Sequence, residues 1–148
     1  MPDILHAVGI KATPHQVYTA LTTIKGLAGW WTSDTDGDPA MGGVIHFHFG
    51  PKAQVDTKVL ELKRDALVLW EVLAAHDDWV GTKIRFALKQ DGDVTLVLFK
   101  HEGWRTPTQF MHHCSTKWAT FLVSLKTALE TGEGTPFPDD VQISSKAA

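Results

Sequence analysis

The apolar positions in the last third of the chain recur at the spacing of one long helix. Between residues 106 and 131 they return every three or four positions and form a single stripe: Phe110, Cys114, Trp118, Phe121, Leu125 and Leu129. A stripe this wide and aromatic needs a large covering surface. The pattern Thr106-Pro107-Thr108-Gln109 predicts the start of the helix as a capping box, and Gly132 predicts its end.

Upstream of this helix, apolar and polar residues alternate with the period of β-strands. The pattern predicts six strands, at Ile4–Ile10 and at residues 44–49, 55–63, 67–73, 80–89 and 94–101. Asp91-Gly92 is a strong hairpin signal between the last two. Because most gaps between these strands are short, we expect antiparallel pairing, since parallel strands would need crossover helices.

One or two short helices are predicted after the first strand. Thr13-Pro14-His15-Gln16 has the form of a capping box with proline at the first helical position. Residues 32–40, rich in aspartate, glycine and proline, are predicted to be a solvated loop. The order of elements predicts an α+β fold in which a curved antiparallel sheet of about six strands wraps around the long C-terminal helix.

Composition and charge restrict the classes of function. The 148 residues are typical of a single globular domain, with 139–148 expected as a flexible tail. The net charge of −3 argues against nucleic acid binding, and no apolar run is long enough to span a membrane. A single cysteine, Cys114, excludes an internal disulfide, and the N-terminal residues do not resemble a secretion signal, so we expect a cytoplasmic protein.

Several motifs occur in an order that resembles a known superfamily. They are Trp30-Trp31, Gly42-Gly43, Trp70, the alternating Thr95, Val97, Phe99 and His101, then Gly103, and finally Trp118 with Leu122, Leu125 and Leu129. Together they resemble the START-related helix-grip superfamily, SRPBCC, and in particular the branch related to the activator of the heat-shock-protein-90 ATPase. The resemblance extends over residues 3–138. It departs from the branch at 56–58, where a glycine is usual, and at 63–65, where a proline is usual.

The resemblance implies a helix-grip fold and, for many members, an apolar ligand held between sheet and helix. Some members catalyse cyclisation or hydrolysis, so the fold alone does not decide the function. The candidate ligand-binding residues are Trp30, Trp31, Phe47, Phe49, Trp70, Phe86, Phe99, His101, Phe110, Cys114 and Trp118. The alternative is that these side chains fill a close-packed core.

Polar candidates have equally ordinary alternatives. His46 and His48 share one face of a strand, but we identify no acidic residue or cysteine at matching spacing in the sequence, so no metal and no cofactor is predicted. Alternation points His101 inward, where it would contact a ligand or pair with a backbone carbonyl. Cys114 lies on the apolar stripe without a suitable base, which favours packing over nucleophilic chemistry.

Three functional hypotheses follow. The leading one is a non-enzymatic protein that binds a small apolar molecule between the sheet and the C-terminal helix. The second is a cyclase- or hydrolase-type enzyme that uses His101 or the His46/His48 pair as acid–base groups. The third, implied by the resemblance, is a regulator of a chaperone ATPase. A homodimer formed through an exposed strand edge is a further possibility, with no nucleic acid or membrane partner.

Overall fold

One antiparallel sheet curves around a long C-terminal helix in the computed structural model, which describes residues 1–145. The strands are β1 (Ile4–Ile10), β2 (Asp34–Gly37), β3 (Val44–His48), β4 (Gln54–Lys63), β5 (Leu67–Ala74), β6 (Lys83–Asp91) and β7 (Val94–Glu102). The helices are α1 (Pro14–Thr22), α2 (Ile24–Ala28) and α3 (Gln109–Thr131). The sheet order is β1-β7-β6-β5-β4-β3-β2, with every pair antiparallel. The predicted α+β helix-grip architecture is confirmed.

The prediction of a loop at residues 32–40 was wrong, because this segment contains β2. Asp34 to Gly37 pairs with β3, from Asp34 opposite His48 to Gly37 opposite Ile45. Thr35 points inward and is buried, whereas Asp34 and Asp36 point to solvent. The alternation is therefore present, but it is short, and three of the four residues are aspartate or glycine, which have low β propensity. The sheet has seven strands instead of about six.

The two capping-box predictions had different outcomes. The first is confirmed: Thr13 Oγ1 accepts from the Gln16 backbone N–H at 3.2 Å, and Gln16 Oε1 accepts from the Thr13 N–H at 2.9 Å. The second was displaced by two residues, since α3 is capped by Thr108, whose Oγ1 accepts from the Met111 N–H. Thr106 lies before the helix because Thr-Pro-Thr offers two possible caps, and only Thr108 directly precedes the helical residues.

The helix α3 lies in the concave face of the sheet and buries one long stripe. Its buried side chains include Cys114, Trp118, Phe121, Leu122 and Leu125. Ser124 ties α3 to the segments on either side of it. Its hydroxyl donates to the Trp30 carbonyl and accepts from the Thr135 N–H, both at 2.8 Å. Of the helices that the structure describes, none combines the length and the apolar content needed to cross a membrane.

The residues after α3 return towards the sheet. The Phe137 N–H donates to the Trp31 carbonyl at 2.8 Å, and the Ser33 N–H donates to the Phe137 carbonyl at 3.1 Å. Asp140 is buried, although it falls within the segment predicted as a flexible tail. Residues 146–148, the end of that predicted tail, lie outside the described residues.

Candidate functional site

Part of the concave face is a packed aromatic core, formed by Trp30, Phe47, Trp70, Phe86 and Phe99. Each of these side chains is at most 1% exposed. Phe86 is central, with ring centroids 5.2 Å from Trp70, 5.3 Å from Phe99 and 6.1 Å from Trp30. The rings meet edge to face, the geometry that aromatic pairs prefer. This part of the interior is filled by the protein's own side chains.

Next to this core is a cavity of about 690 Å³ that opens to solvent. It lies between the N-terminal half of α3, the β3–β4 connection, the segment after β5 and the segment after α3. We call it the pocket. Seven aromatic side chains line it: Trp31, Phe49, Trp79, Phe110, Trp118, Phe121 and Phe137.

Contacts between rings hold the pocket wall in place. Trp31 packs against Phe47 of the core at 4.3 Å and against Trp118 at 4.9 Å. Trp118 in turn stacks on Trp79, with centroids 5.8 Å apart and an interplanar angle of 14°. Because these rings are fixed by their neighbours, the cavity is preformed and does not need a ligand to order its wall.

Polar groups are concentrated at the rim of the pocket. Lys117, on α3, donates from Nζ to Asp140 Oδ2 and to the Val141 carbonyl, and its Nζ lies 5.0 Å from the centre of the Phe121 ring. The other polar or charged rim residues are Lys52, Gln54, His76, His113, Gln142 and Ser144. An apolar chamber with a small polar rim is typical of sites for small organic molecules.

His101 points inward as predicted, but it lies behind the pocket wall and is fully buried. Its Nε2 is 2.7 Å from Thr82 Oγ1, and its Nδ1 accepts a hydrogen bond from Trp118 Nε1 at 3.1 Å. Burial lowers the pKa of His101 to about 3, because the charged imidazolium cannot be solvated there. His101 is therefore a neutral group that orients Trp118.

Cys114 lines the pocket floor and is nearly inaccessible. Trp79 Nε1 lies 3.4 Å from its sulfur and donates to it. Burial raises the pKa of the Cys114 thiol to about 11, although the indole hydrogen bond acts in the opposite direction. A protonated thiol is a poor nucleophile, so the geometry favours the packing role.

His46 and His48 lie on the opposite, outer face of the sheet. Sequence spacing showed no acidic residue to match them, but cross-strand neighbours supply two carboxylates. His46 Nδ1 lies 2.7 Å from Asp56 Oδ1, and His48 Nε2 lies 3.0 Å from Asp36 Oδ2. The hydrogen bond that His46 Nδ1 donates to the Asp56 carboxylate raises the pKa of His46. Sequence spacing alone could not reveal these partners, which come from β2 and β4.

The structure divides the eleven predicted ligand-binding residues into two groups. Trp31, Phe49, Phe110, Cys114 and Trp118 line the pocket. The remaining six belong to the packed aromatic core or lie behind the pocket wall: Trp30, Phe47, Trp70, Phe86, Phe99 and His101. A ligand-binding role stays a prediction for all eleven residues. Only the first five are placed where they could contact a ligand in the pocket.

Several lining residues were absent from the sequence-based set. The helical stripe correctly predicted that Phe121 points inward, but Phe121 was not included among the ligand-binding residues. Trp79 and Phe137 lie in irregular segments, where no periodicity indicates the direction of a side chain. An isolated aromatic residue in a polar segment was the only signal they gave.

Comparison with known proteins identifies the family. Residues 11–130 match the family model described as Activator of Hsp90 ATPase homolog 1-like protein. The Aha1 dimer from Colwellia psychrerythraea, solved in solution, is 44% identical with a TM-score of 0.83, over 90% of this chain and 100% of that chain. No curated protein matches at a significant level.

More distant solved structures share the fold. A Staphylococcus saprophyticus protein is 17% identical with a TM-score of 0.76, over 90% of this chain and 95% of that one. CalU16 from Micromonospora echinospora is 17% identical with a TM-score of 0.79, over 99% and 76% of the two chains. The resemblance to the SRPBCC branch is thus confirmed, and the chain belongs to the family of Activator of Hsp90 ATPase homolog 1-like proteins.

Proposed function

We propose that the protein binds a small apolar molecule in the pocket between α3 and the sheet. The observation that carries this proposal is the preformed cavity of about 690 Å³, lined by seven aromatic side chains and open to solvent. Pockets for small organic ligands have volumes of about 300–1,000 Å³ and are mostly apolar with a few polar groups. The volume and lining both meet this description.

The physical driving force is the removal of apolar surface from water. Trp79, Phe110 and Phe137 are only half-buried, so part of each ring faces the cavity. An apolar ligand would cover this surface, and each Å² removed from water contributes roughly 25 cal/mol. Binding would cost little conformational entropy in the wall, because Trp31 and Trp118 are already held by ring contacts.

The six tryptophans provide a direct test with an internal control. Trp31, Trp79 and Trp118 line the pocket, whereas Trp30, Trp70 and Trp104 do not. In a ¹⁵N–¹H correlation spectrum with assigned indole resonances, titration with a neutral aromatic probe, 2-naphthamide, and with 1-decanol should shift the first three signals selectively. Uniform small shifts, or none up to the solubility limit of both probes, would contradict the proposal.

A variant that fills the pocket sharpens the test. Ala75 lines the pocket, so Ala75→Phe should weaken binding of the shifting probe at least tenfold. Ala66 is exposed in the β4–β5 turn, and Ala66→Phe makes the same chemical change away from the pocket. Equal losses of affinity in both variants would indicate that the probe does not occupy the cavity.

The enzyme alternative has less support. It depended on His101, His46 and His48, and none of these side chains lines the pocket. The family description is the observation behind a second candidate function, regulation of a chaperone ATPase. Its test is the ATP turnover of an Hsp90-type chaperone with and without a tenfold excess of this protein, and an unchanged rate would reject it.

We also propose that the chain forms a homodimer, since the Colwellia psychrerythraea relative is described as a dimer. The outer edge of β1 is occupied by α3, because Lys126 Nζ donates to the Gly9 carbonyl and Glu130 Oε2 accepts from the Lys11 N–H. The outer face of the sheet beside it exposes two leucines, Leu5 at 63% and Leu98 at 45%. This face is therefore favoured over pairing along the β1 edge.

Light scattering coupled to size exclusion tests the dimer. Leu98→Lys should convert a dimer to a monomer by placing a charge in the interface. Val123→Lys changes another exposed apolar residue, 54% accessible on α3, and should leave the mass unchanged. A monomeric wild-type protein at 100 μM would reject this proposal.

A further inference from the structure

The charge distribution around the pocket indicates which molecules it accepts. We propose that its ligands are amphipathic, with an apolar body and an anionic head group, and that the head group binds Lys117 in place of Asp140. This inference rests on the proposed binding function and specifies the ligand class for the same site.

Lys117 is placed where an anionic head group would lie. It is one helical turn from both Cys114 and Phe121 on α3, and these two side chains are part of the apolar wall. Its Nζ lies 5.0 Å from the centre of the Phe121 ring, and the side chain is only 19% exposed. A poorly solvated ammonium group needs an anion beside it, because losing hydration without a partner is costly.

Asp140 is the present counterion, and it is only half satisfied. One carboxylate oxygen, Oδ2, accepts from Lys117. The other, Oδ1, is buried and has no hydrogen-bond partner among the described residues. An unsatisfied buried acceptor is costly, and more so when it is charged, because it has lost its hydration without gaining a partner. When an incoming anion takes the place of Asp140, the Asp140 carboxylate can turn into solvent, and hydration of its unsatisfied oxygen would recover part of this cost.

The rest of the rim favours an anion over a cation. The charged side chains that line the pocket are Lys52, Lys117 and Asp140, and His76 and His113 add two further potential donors. The side chains of Lys52 and His113 make no hydrogen bond within residues 1–145, so both can bind an incoming carboxylate. Asp140 is the sole carboxylate of the described lining, and it is already paired with Lys117.

Two probes of the same shape isolate the charge. 2-Naphthoate and 2-naphthamide share one ring system, but only naphthoate is anionic at pH 7. Isothermal titration calorimetry should give naphthoate at least a fivefold higher affinity for the wild-type protein. Lys117→Met should abolish this preference while naphthamide still binds, because the apolar wall is unchanged.

Asp140→Asn tests whether the head group replaces Asp140 as the counterion of Lys117 or is only attracted by the positive charge of the rim. Removing the competing charge should increase the affinity for naphthoate at least threefold and leave naphthamide binding unchanged. Lys89→Met is the control for net charge, because it removes one positive charge elsewhere. Lys89 is exposed near the end of β6 and does not line the pocket. It should preserve the naphthoate preference.

The outcomes distinguish the two levels of the proposal. If naphthamide binds as well as naphthoate, or if Asp140→Asn weakens naphthoate binding, the head-group inference is overturned and the apolar pocket remains. If neither probe shifts the indole signals of Trp31, Trp79 and Trp118, the binding function itself fails. Should Lys117→Met not fold, Asp140→Asn still decides the matter, because it changes one atom of a side chain.

Discussion

The packed aromatic core and the pocket are built from the same kinds of side chain, but their interiors differ. In the core, Trp30, Trp70 and Phe86 are covered by other rings and exclude solvent completely or nearly so. In the pocket, Trp79 and Phe110 keep part of their surface open to the cavity. The difference lies in the segments that face each ring: the sheet and its neighbours close over the core, whereas irregular segments complete the pocket wall beside α3 and leave it open to solvent. An aromatic-rich sequence therefore indicates apolar volume without indicating how much of it is filled.

The largest effect should come from opening the core. Phe86→Ala removes a fully buried ring that contacts three other aromatic side chains. We expect the free energy of unfolding to fall by about 3–5 kcal/mol, because the lost transfer energy adds to the cost of a cavity. Urea unfolding followed by tryptophan fluorescence measures this. A loss of less than about 1 kcal/mol would show that the core is less tightly filled than described.

The second effect is a pH dependence of stability caused by His101, which lies between the core and the pocket. Its pKa is about 3 in the folded protein, below the usual 6.5. Between these values the unfolded chain binds a proton that the folded chain does not, so stability falls as the pH falls from 6.5 towards 3. The slope from this group is about 1.4 kcal/mol per pH unit.

The matched experiment for His101 compares pH profiles. His101→Asn removes the titrating group, so the decline in unfolding free energy between pH 6 and pH 4 should be shallower in the variant than in wild type. The variant should also be less stable at pH 7, because Thr82 Oγ1 loses its contact with Nε2 and the buried volume of the imidazole ring is left partly empty. Parallel profiles would mean that His101 accepts a proton in the folded state.

The third effect is the low reactivity of Cys114 on the pocket floor. Raising the thiol pKa to about 11 lowers the thiolate fraction at pH 8, and the site is nearly closed to reagents. Alkylation by iodoacetamide should be at least about tenfold slower than for a free thiol. The same protein unfolded in guanidinium is the control, because Cys114 is the only cysteine of the chain. Equal rates would indicate that the pocket floor opens readily.

The smallest change in stability should come from the pocket wall. Phe110→Ala removes a half-buried ring that contacts His76 at 4.0 Å and faces the cavity. We expect a loss of about 1 kcal/mol or less, since that ring is already partly exposed to the open cavity and its removal leaves no closed void. The same variant should weaken probe binding by more, in free energy, than it lowers the free energy of unfolding. A loss comparable to that of Phe86→Ala would remove the distinction between the two regions.

Periodicity predicted the elements that a regular pattern can encode. The apolar stripe of α3 and the alternation in β7 correctly placed Trp118 and His101 on inward faces. The hairpin at Asp91-Gly92 also formed as predicted, between β6 and β7. In each case the direction of a side chain depends only on its place within one repeating element.

The pocket could not be predicted in the same way. Alternation gives the face on which a residue lies, but it does not give the distance to the element opposite. Phe47 and Phe49 follow one another on the same face of the β3 segment, yet Phe47 is buried in the core and Phe49 lines the cavity. The carboxylate partners of His46 and His48 were missed for a related reason, because strand register is a property of the pair.

The segment after α3 has a consequence for evolution within the family. The family match ends at residue 130, whereas Phe137, Asp140 and Gln142 form part of the pocket rim. Under the proposed binding function, relatives that keep the same scaffold could vary this short stretch and so change which molecule the pocket accepts. On that proposal, swapping residues 131–145 between two members should transfer ligand selectivity.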